Sequence, residues 1–333
     1  MRDQLECRKQ HRLYSTPRAQ GVMAGTPRVE ERLRPARTAC GRRLGVVLGM
    51  AIVIFSGCQL GREAMNAAYP VGSKSERFGS SESTVTISRY GELPIIFYVS
   101  AGQLTGRKLP AVVFSHGRPF QMPGSAVYGD GGLAGWLNEQ GIAVAFPIRS
   151  GYHQAVGSDF EVLPCGRTAA GDIERAGEAA ADDIRRAVAW VEKQPMVDTD
   201  RVFLAGTSAG GFASIYAIGA LEKRIRGVIS LNGARCGARS DAVDGLPYLK
   251  EIYERIALRS SIPVLFLAGG VDQVVPLYTS RELFKSFCAG RDRRCAGTVR
   301  LLINEGGDHG VRGVLLSNDV REAIVKLLTR GEI

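Results

Sequence analysis

The chain has 333 residues, 45% of them hydrophobic and 23% charged, a balance ordinary for a soluble globular protein. The formal charge of +10 points to a polyanion partner only until it is located. Residues 1–57 carry eleven Lys/Arg against four Asp/Glu, or +7, so the remainder is close to +3 and a body built to bind a polyanion such as nucleic acid is not indicated.

Arg42 and Arg43 precede an uncharged stretch from Leu44 to Gly61 centred on Val46, Val47, Leu48, Ile52, Val53, Ile54 and Phe55. A basic region, a short apolar region and small residues before Cys58 fit a secretory signal. The ending Phe55-Ser56-Gly57-Cys58 resembles a bacterial lipobox, whose cysteine becomes lipidated. An ordinary cleaved signal and an uncleaved membrane anchor share the same pattern. The forty residues upstream are long for such a basic region, and Met23 is an alternative start. Residues 1–58 are therefore expected to be a signal or lipoprotein leader. Residues 59–82, rich in Gly, Ser, Ala and charge, read as a flexible tether, and residues 83–333 as the folded domain. The predicted protein is exported, periplasmic or membrane-anchored, and meets a membrane only through this N-terminal segment.

From Ser83 onward, short β-branched runs alternate with helical stretches, the signature of βα units and a mostly parallel sheet. Strands are predicted over Thr84–Tyr90, Ile95–Val99, Ala111–Ser115, Ile142–Pro147, Val202–Ala205, Gly227–Leu231, Val264–Ala268 and Val299–Ile303. Runs such as Val112-Val113-Phe114 are apolar throughout, as strands covered on both faces are. Ile184, Ala187, Val188 and Val191 fall at i, i+3, i+4 and i+7, with Asp182, Asp183, Arg185 and Arg186 on the polar side of that helix. Val320, Ile324 and Leu327 or Leu328 give the last helix a similar face. Trp136 and Trp190 read as helix core. The fold class is α/β, a doubly wound sheet flanked by helices.

Export changes the reading of the cysteines. Cys165, Cys236, Cys288 and Cys295 follow Cys58, and an even number in an oxidising compartment suggests two disulfides with three possible pairings. Cys288 and Cys295 bracket a short polar loop and close most easily, which leaves Cys165 with Cys236. Buried small apolar cysteines are the alternative. With no Cys-x-x-Cys and no nearby His, metal binding is not expected.

The chemistry centres on Gly206-Thr207-Ser208-Ala209-Gly210, followed by Gly211. A strand, Arg201–Ala205, leads into it and an apolar helical stretch, Phe212–Ala217, leaves it, which is the context of a nucleophile elbow. Serine needs a base to take its proton. In elbow hydrolases the acid and the histidine follow the serine in the chain, and His309 is the one histidine after Ser208. It lies in the Gly-rich stretch 304–310, beyond the final strand. Asp272 follows the preceding strand, in Gly269-Gly270-Val271-Asp272, and would fix the imidazole tautomer. Asp308 is the rival carboxylate, but a neighbour in the same loop is badly placed to face the ring. Backbone N–H groups of Ala209 and Arg118 would form the oxyanion hole, with Gly117 giving a close approach after the strand Val112–Ser115. His116 reads as support for that loop.

The stretches Phe114-Ser115-His116-Gly117, Gly206–Gly211, Val271-Asp272-Gln273-Val274-Val275-Pro276 and Asp308-His309-Gly310 resemble the α/β-hydrolase superfamily, in its dienelactone-hydrolase-like and prolyl-oligopeptidase-like branch. Arg149-Ser150-Gly151-Tyr152-His153 looks like a loop that often reads Arg-x-Gly-Tyr-Gly there. It makes Tyr152 and His153 pocket candidates, with a solvent-facing loop as the alternative. Dienelactone hydrolases use a cysteine nucleophile where this chain has Ser208. Oligopeptidases of this type carry a propeller domain, and nothing before residue 83 reads as one. The resemblance thus implies a serine hydrolase of a small-molecule carboxylic ester, with no metal or cofactor. A peptidase or amidase, or a binding protein on the same scaffold, are the competing readings.

Overall fold

A computed structural model describes residues 72–78, 81–91, 93–100, 106–118, 131–152, 170–236, 242–315 and 317–333. The leader and lipidation site expected at residues 1–58, with Cys58, lie outside these residues, as do His153 and Cys165.

Nine strands form one sheet: β1 (Gly72–Phe78), β2 (Ser81–Tyr90), β3 (Leu93–Ser100), β4 (Leu109–Ser115), β5 (Ala143–Pro147), β6 (Val197–Thr207), β7 (Val228–Leu231), β8 (Val264–Gly269) and β9 (Val299–Asn304). Their order is β1-β2-β3-β5-β4-β6-β7-β8-β9. Pairings from β1 through β3 to β5 are antiparallel, and those from β5 through β4 to β9 are parallel. All eight predicted strands are present. The ninth, β1, lies inside the stretch expected to be a tether. Its sequence, Gly-Ser-Lys-Ser-Glu-Arg-Phe, carries no apolar alternation, and its extended state comes from pairing with β2, Gly72 opposite Ile87 through Phe78 opposite Ser81.

The helices are α1 (Gly131–Glu139), α2 (Ala170–Val191), α3 (Ala209–Tyr216), α4 (Ile218–Leu221), α5 (Leu246–Leu258), α6 (Leu277–Arg291), α7 (Val311–Leu315) and α8 (Asn318–Arg330), with a 3₁₀ turn at Asp292–Cys295. Because side chains alternate across a strand, the sheet divides the core in two. Ala111, Val113, Leu204, Val228 and Phe266 join α2, α3, α5 and α6 on one face. Val112, Phe114, Phe203, Ile229 and Leu265 join α1, α7 and α8 on the other. Both faces are therefore covered, which is why these strands lack polar alternation. Trp190 packs edge-on against Phe97 at 5.3 Å in the first layer, while Trp136 only half-covers the second.

Chain order and spatial order part company at β4 and β6. From β4 the chain steps to β5 on one side, and from β6 to β7 on the other. The carboxyl ends of these two strands flank a topological switch point, where open α/β sheets leave a crevice for ligands. Cys288 and Cys295 are joined as a disulfide at the far end of α6. Cys236 is also disulfide-bonded.

Asp183 departs from expectation. Placed on the polar side of α2 by its neighbours, it is instead buried. Its carboxylate accepts the Ser150 N–H at 2.5 Å and the Ser150 hydroxyl at 3.2 Å, and pairs with Arg186. Burial is possible because those donors replace water, and the effect is to tie α2 to the loop leaving β5.

Candidate active site

Ser208 sits between β6 and α3, with φ 55 and ψ −124, a conformation that L-residues rarely adopt. Two glycines explain how the turn closes. A Cβ on Gly206 would run into the Gly210 carbonyl, and one on Gly210 would run into the Ser115 and His116 carbonyls. Small residues at both places let β6, α3 and the end of β4 approach to backbone contact. The turn is then held from β7: Ser208 N–H donates to Leu231 O at 2.9 Å, and Ala234 N–H donates to Ser208 O at 3.2 Å. Ala209 opens α3, so its N–H is one of the donors a helix leaves unpaired within itself.

Asp272 follows β8 and is buried. Its Oδ1 accepts the N–H groups of Val274 and Val275, both at 2.8 Å. Its Oδ2 accepts His309 Nδ1–H at 2.8 Å. Asp308 faces elsewhere: its Oδ1 accepts the Gly310 N–H at 2.8 Å within its own loop. A ring that donates from Nδ1 keeps a lone pair on Nε2, the arrangement a general base needs. The His309 side chain is 20% exposed, so the outer edge of the pair is open while the carboxylate beneath it is sealed.

The same elements recur in known proteins. Residues 169–254, which span α2 to most of α5 and contain Ser208, match the model of the prolyl oligopeptidase family. Dipeptidyl aminopeptidase BIII of Pseudoxanthomonas mexicana is 31% identical over 136 residues, 41% of this chain and 18% of that protein. Among solved structures, a cold-adapted esterase from an Arctic intertidal metagenomic library superposes with a TM-score of 0.52 at 18% identity, over 79% of this chain and 99% of that one. Dipeptidyl peptidase 4 of Porphyromonas gingivalis gives 0.54 at 15% identity, over 76% of this chain and 35% of that one. The chain thus spans under half the length of the peptidases it is similar to. It has the α/β-hydrolase fold, and its segment around Ser208 is similar to the prolyl oligopeptidase family.

In this fold the loop after β4 reaches the elbow. A Cβ on Gly117 would lie 3.2 Å from Ser208 Cβ, so Gly117 approaches the serine as closely as its missing side chain allows. Arg118, next in the chain, is exposed. His116 is buried, donates from Nδ1 to Gly117 O at 2.8 Å, and accepts the Arg149 N–H on Nε2 at 3.2 Å. Burial, and then the nearby Arg149 charge, hold its pKa well below 6.5. The ring is neutral and pins the β4 loop to the loop after β5. Tyr152 is buried edge-on against His116 at 4.6 Å, with the Arg149 guanidinium 5.2 Å from its ring centre. Tyr152 therefore packs beneath the β4 loop and is shielded from solvent.

One residue of the site was not singled out from the sequence. Asn232, directly after β7, is buried at φ 45 and hydrogen-bonds both to the end of β8 and to the loop of His309. Its position in Leu231-Asn232-Gly233, at the end of an apolar strand, was the available signal. A separate cleft, bordered by Asp182, Arg185, Tyr216 and Arg259, opens among α2 to α5 and touches none of these groups. Among the described residues, no cluster of three or more His, Cys, Asp or Glu is disposed around a metal position.

Proposed function

We propose that this protein is a serine hydrolase that cleaves a carboxylic ester through an acyl-serine intermediate. The observation that carries it is the His309 Nδ1–Asp272 Oδ2 hydrogen bond, at the strand ends that also carry the strained Ser208 turn. In this reading His309 Nε2 takes the Ser208 hydroxyl proton as Oγ attacks the carbonyl carbon. Asp272 holds the tautomer and steadies the imidazolium. The N–H groups of Ala209 and Arg118 receive the oxyanion, and the α3 N-terminus adds its dipole. His309 returns the proton to the leaving alkoxide, then activates water to release the acid and free Ser208. An ester asks least of such a site, because its leaving group is easier to expel than an amine.

A peptide or amide substrate is the second reading, favoured by the prolyl oligopeptidase match over residues 169–254 and by the dipeptidyl aminopeptidase relative. It uses the same residues and demands more of His309 as general acid. A fluorophosphonate labels an activated serine whichever bond is the natural target. The wild-type protein should label and S208A should not. Equal labelling of the two would remove Ser208 from the account. Turnover of a p-nitrophenyl ester panel beside peptide anilides then separates the two substrate classes.

A further inference from the structure

The turn after β7 touches the Ser208 turn, the end of the strand that leads to Asp272 and the loop that carries His309. Leu231 O and Ala234 N hold the two sides of the Ser208 peptide backbone. Between them, Asn232 accepts the Gly269 N–H on Oδ1 at 2.8 Å and donates from Nδ2 to Asp308 O at 3.2 Å. Gly269 ends the strand that leads to Asp272, and Asp308 precedes His309. Asn232's own N–H is bonded to Leu267 O on β8 at 2.8 Å. The two loops meet face to face here, since a Cβ on Gly269 would strike the Gly307 and Asp308 carbonyls.

From this geometry we infer that Asn232 is a positioning residue, a clamp that sets the acid loop and the base loop in register with each other and with the nucleophile turn. The inference rests on the catalytic reading of Ser208, Asp272 and His309 given above. Asparagine suits the place on two counts. It tolerates the left-handed backbone at φ 45 better than most residues. It also carries one acceptor and one donor on the same planar group, as a backbone N–H and a carbonyl side by side require. An ionised aspartate supplies no donor, and an aliphatic side chain supplies neither. Asn232 does not touch the reacting atoms in this scheme. Its effect passes through the relative placement of His309 and Ser208, where a displacement of about 1 Å is enough to slow a reaction by two orders of magnitude.

The test uses the full chain with p-nitrophenyl butyrate as probe, in wild type, N232G, N232D and S208A. N232G keeps the backbone conformation accessible and removes both side-chain bonds. N232D keeps the acceptor for Gly269 and loses the donor to Asp308. A clamp predicts that kcat falls on the order of 10- to 100-fold in N232G with KM within about two-fold, and by an intermediate amount in N232D. Fluorophosphonate labelling should slow in parallel. If N232G does not fold, N232D decides, since it retains the bond to β8. A kcat within about two-fold of wild type in the folded variants, or a loss that lies wholly in KM, overturns the clamp. S208A separates the two levels: residual turnover equal to wild type overturns the nucleophile reading itself, whereas an inactive S208A beside fully active Asn232 variants overturns only the clamp.

Discussion

At Ser208 the backbone stands at φ 55, ψ −124, a strain of about 1–3 kcal/mol that the surrounding hydrogen bonds and close glycine contacts must hold in place. That makes the glycines as important as the serine. In G210A the new methyl meets the Ser115 and His116 carbonyls, so a loss of about 1–3 kcal/mol in unfolding free energy and slower fluorophosphonate labelling are expected, measured by chemical denaturation and by gel. For Asp272 the test is tautomer rather than fit. D272N keeps the size of the side chain but can offer His309 Nδ1 an N–H instead of an acceptor. The expected outcome is a fall in kcat on the order of 10³- to 10⁴-fold with KM little changed. His116 gives a pH prediction. The native ring stays neutral while the unfolded ring takes up a proton below pH 6.5, so the unfolded state binds more protons there. Stability from this group is complete above about pH 6.5 and is lost as the pH falls below it. Melting temperatures of wild type should drop on acidification more steeply than those of H116Q, and equal slopes would contradict a buried neutral ring.

At the scale of elements, what the sequence made legible was whatever depends on local pattern. Val112-Val113-Phe114 and Val264-Leu265-Phe266-Leu267 announce strands buried on both faces, and both lie in the parallel part of the sheet. Gly206-Thr207-Ser208-Ala209-Gly210 announces its turn because each glycine is demanded by a contact within four residues or by the adjoining strand. Strand limits were harder: β6 begins at Val197, five residues before the apolar run, because Asp198-Thr199-Asp200 is extended without being buried. β1 left no pattern, since its partner supplies the order. Asp183 and Asn232 were illegible for the same reason at longer range, with partners 33 to 76 residues away. Tyr253, on α5, belongs with them. Its hydroxyl donates to Gly233 O at 2.9 Å, tying that helix to the turn beside Ser208, and burial pushes its pKa up. Y253F should cost about 1–3 kcal/mol by leaving a buried carbonyl unpaired, measured by urea unfolding.

Across the whole molecule, the sheet gathers residues far apart in the chain at one set of strand ends. Gly117 follows β4, Ser208 follows β6, Asn232 follows β7, Asp272 follows β8 and His309 follows β9, all from parallel neighbours whose carboxyl ends point the same way. The parallel pairing, more than any single contact, makes the site possible. Peptidases and an esterase share this architecture, so the fold leaves the scissile bond open. The most direct measurement is peptide mapping after an acid quench of the protein mixed with p-nitrophenyl acetate. An acetyl group on the peptide that contains Ser208, assigned to that side chain and strongly reduced in H309A, is the predicted result. Turnover of the ester with the acetyl group on another residue, or with Ser208 acetylated equally in wild type and H309A, would contradict it.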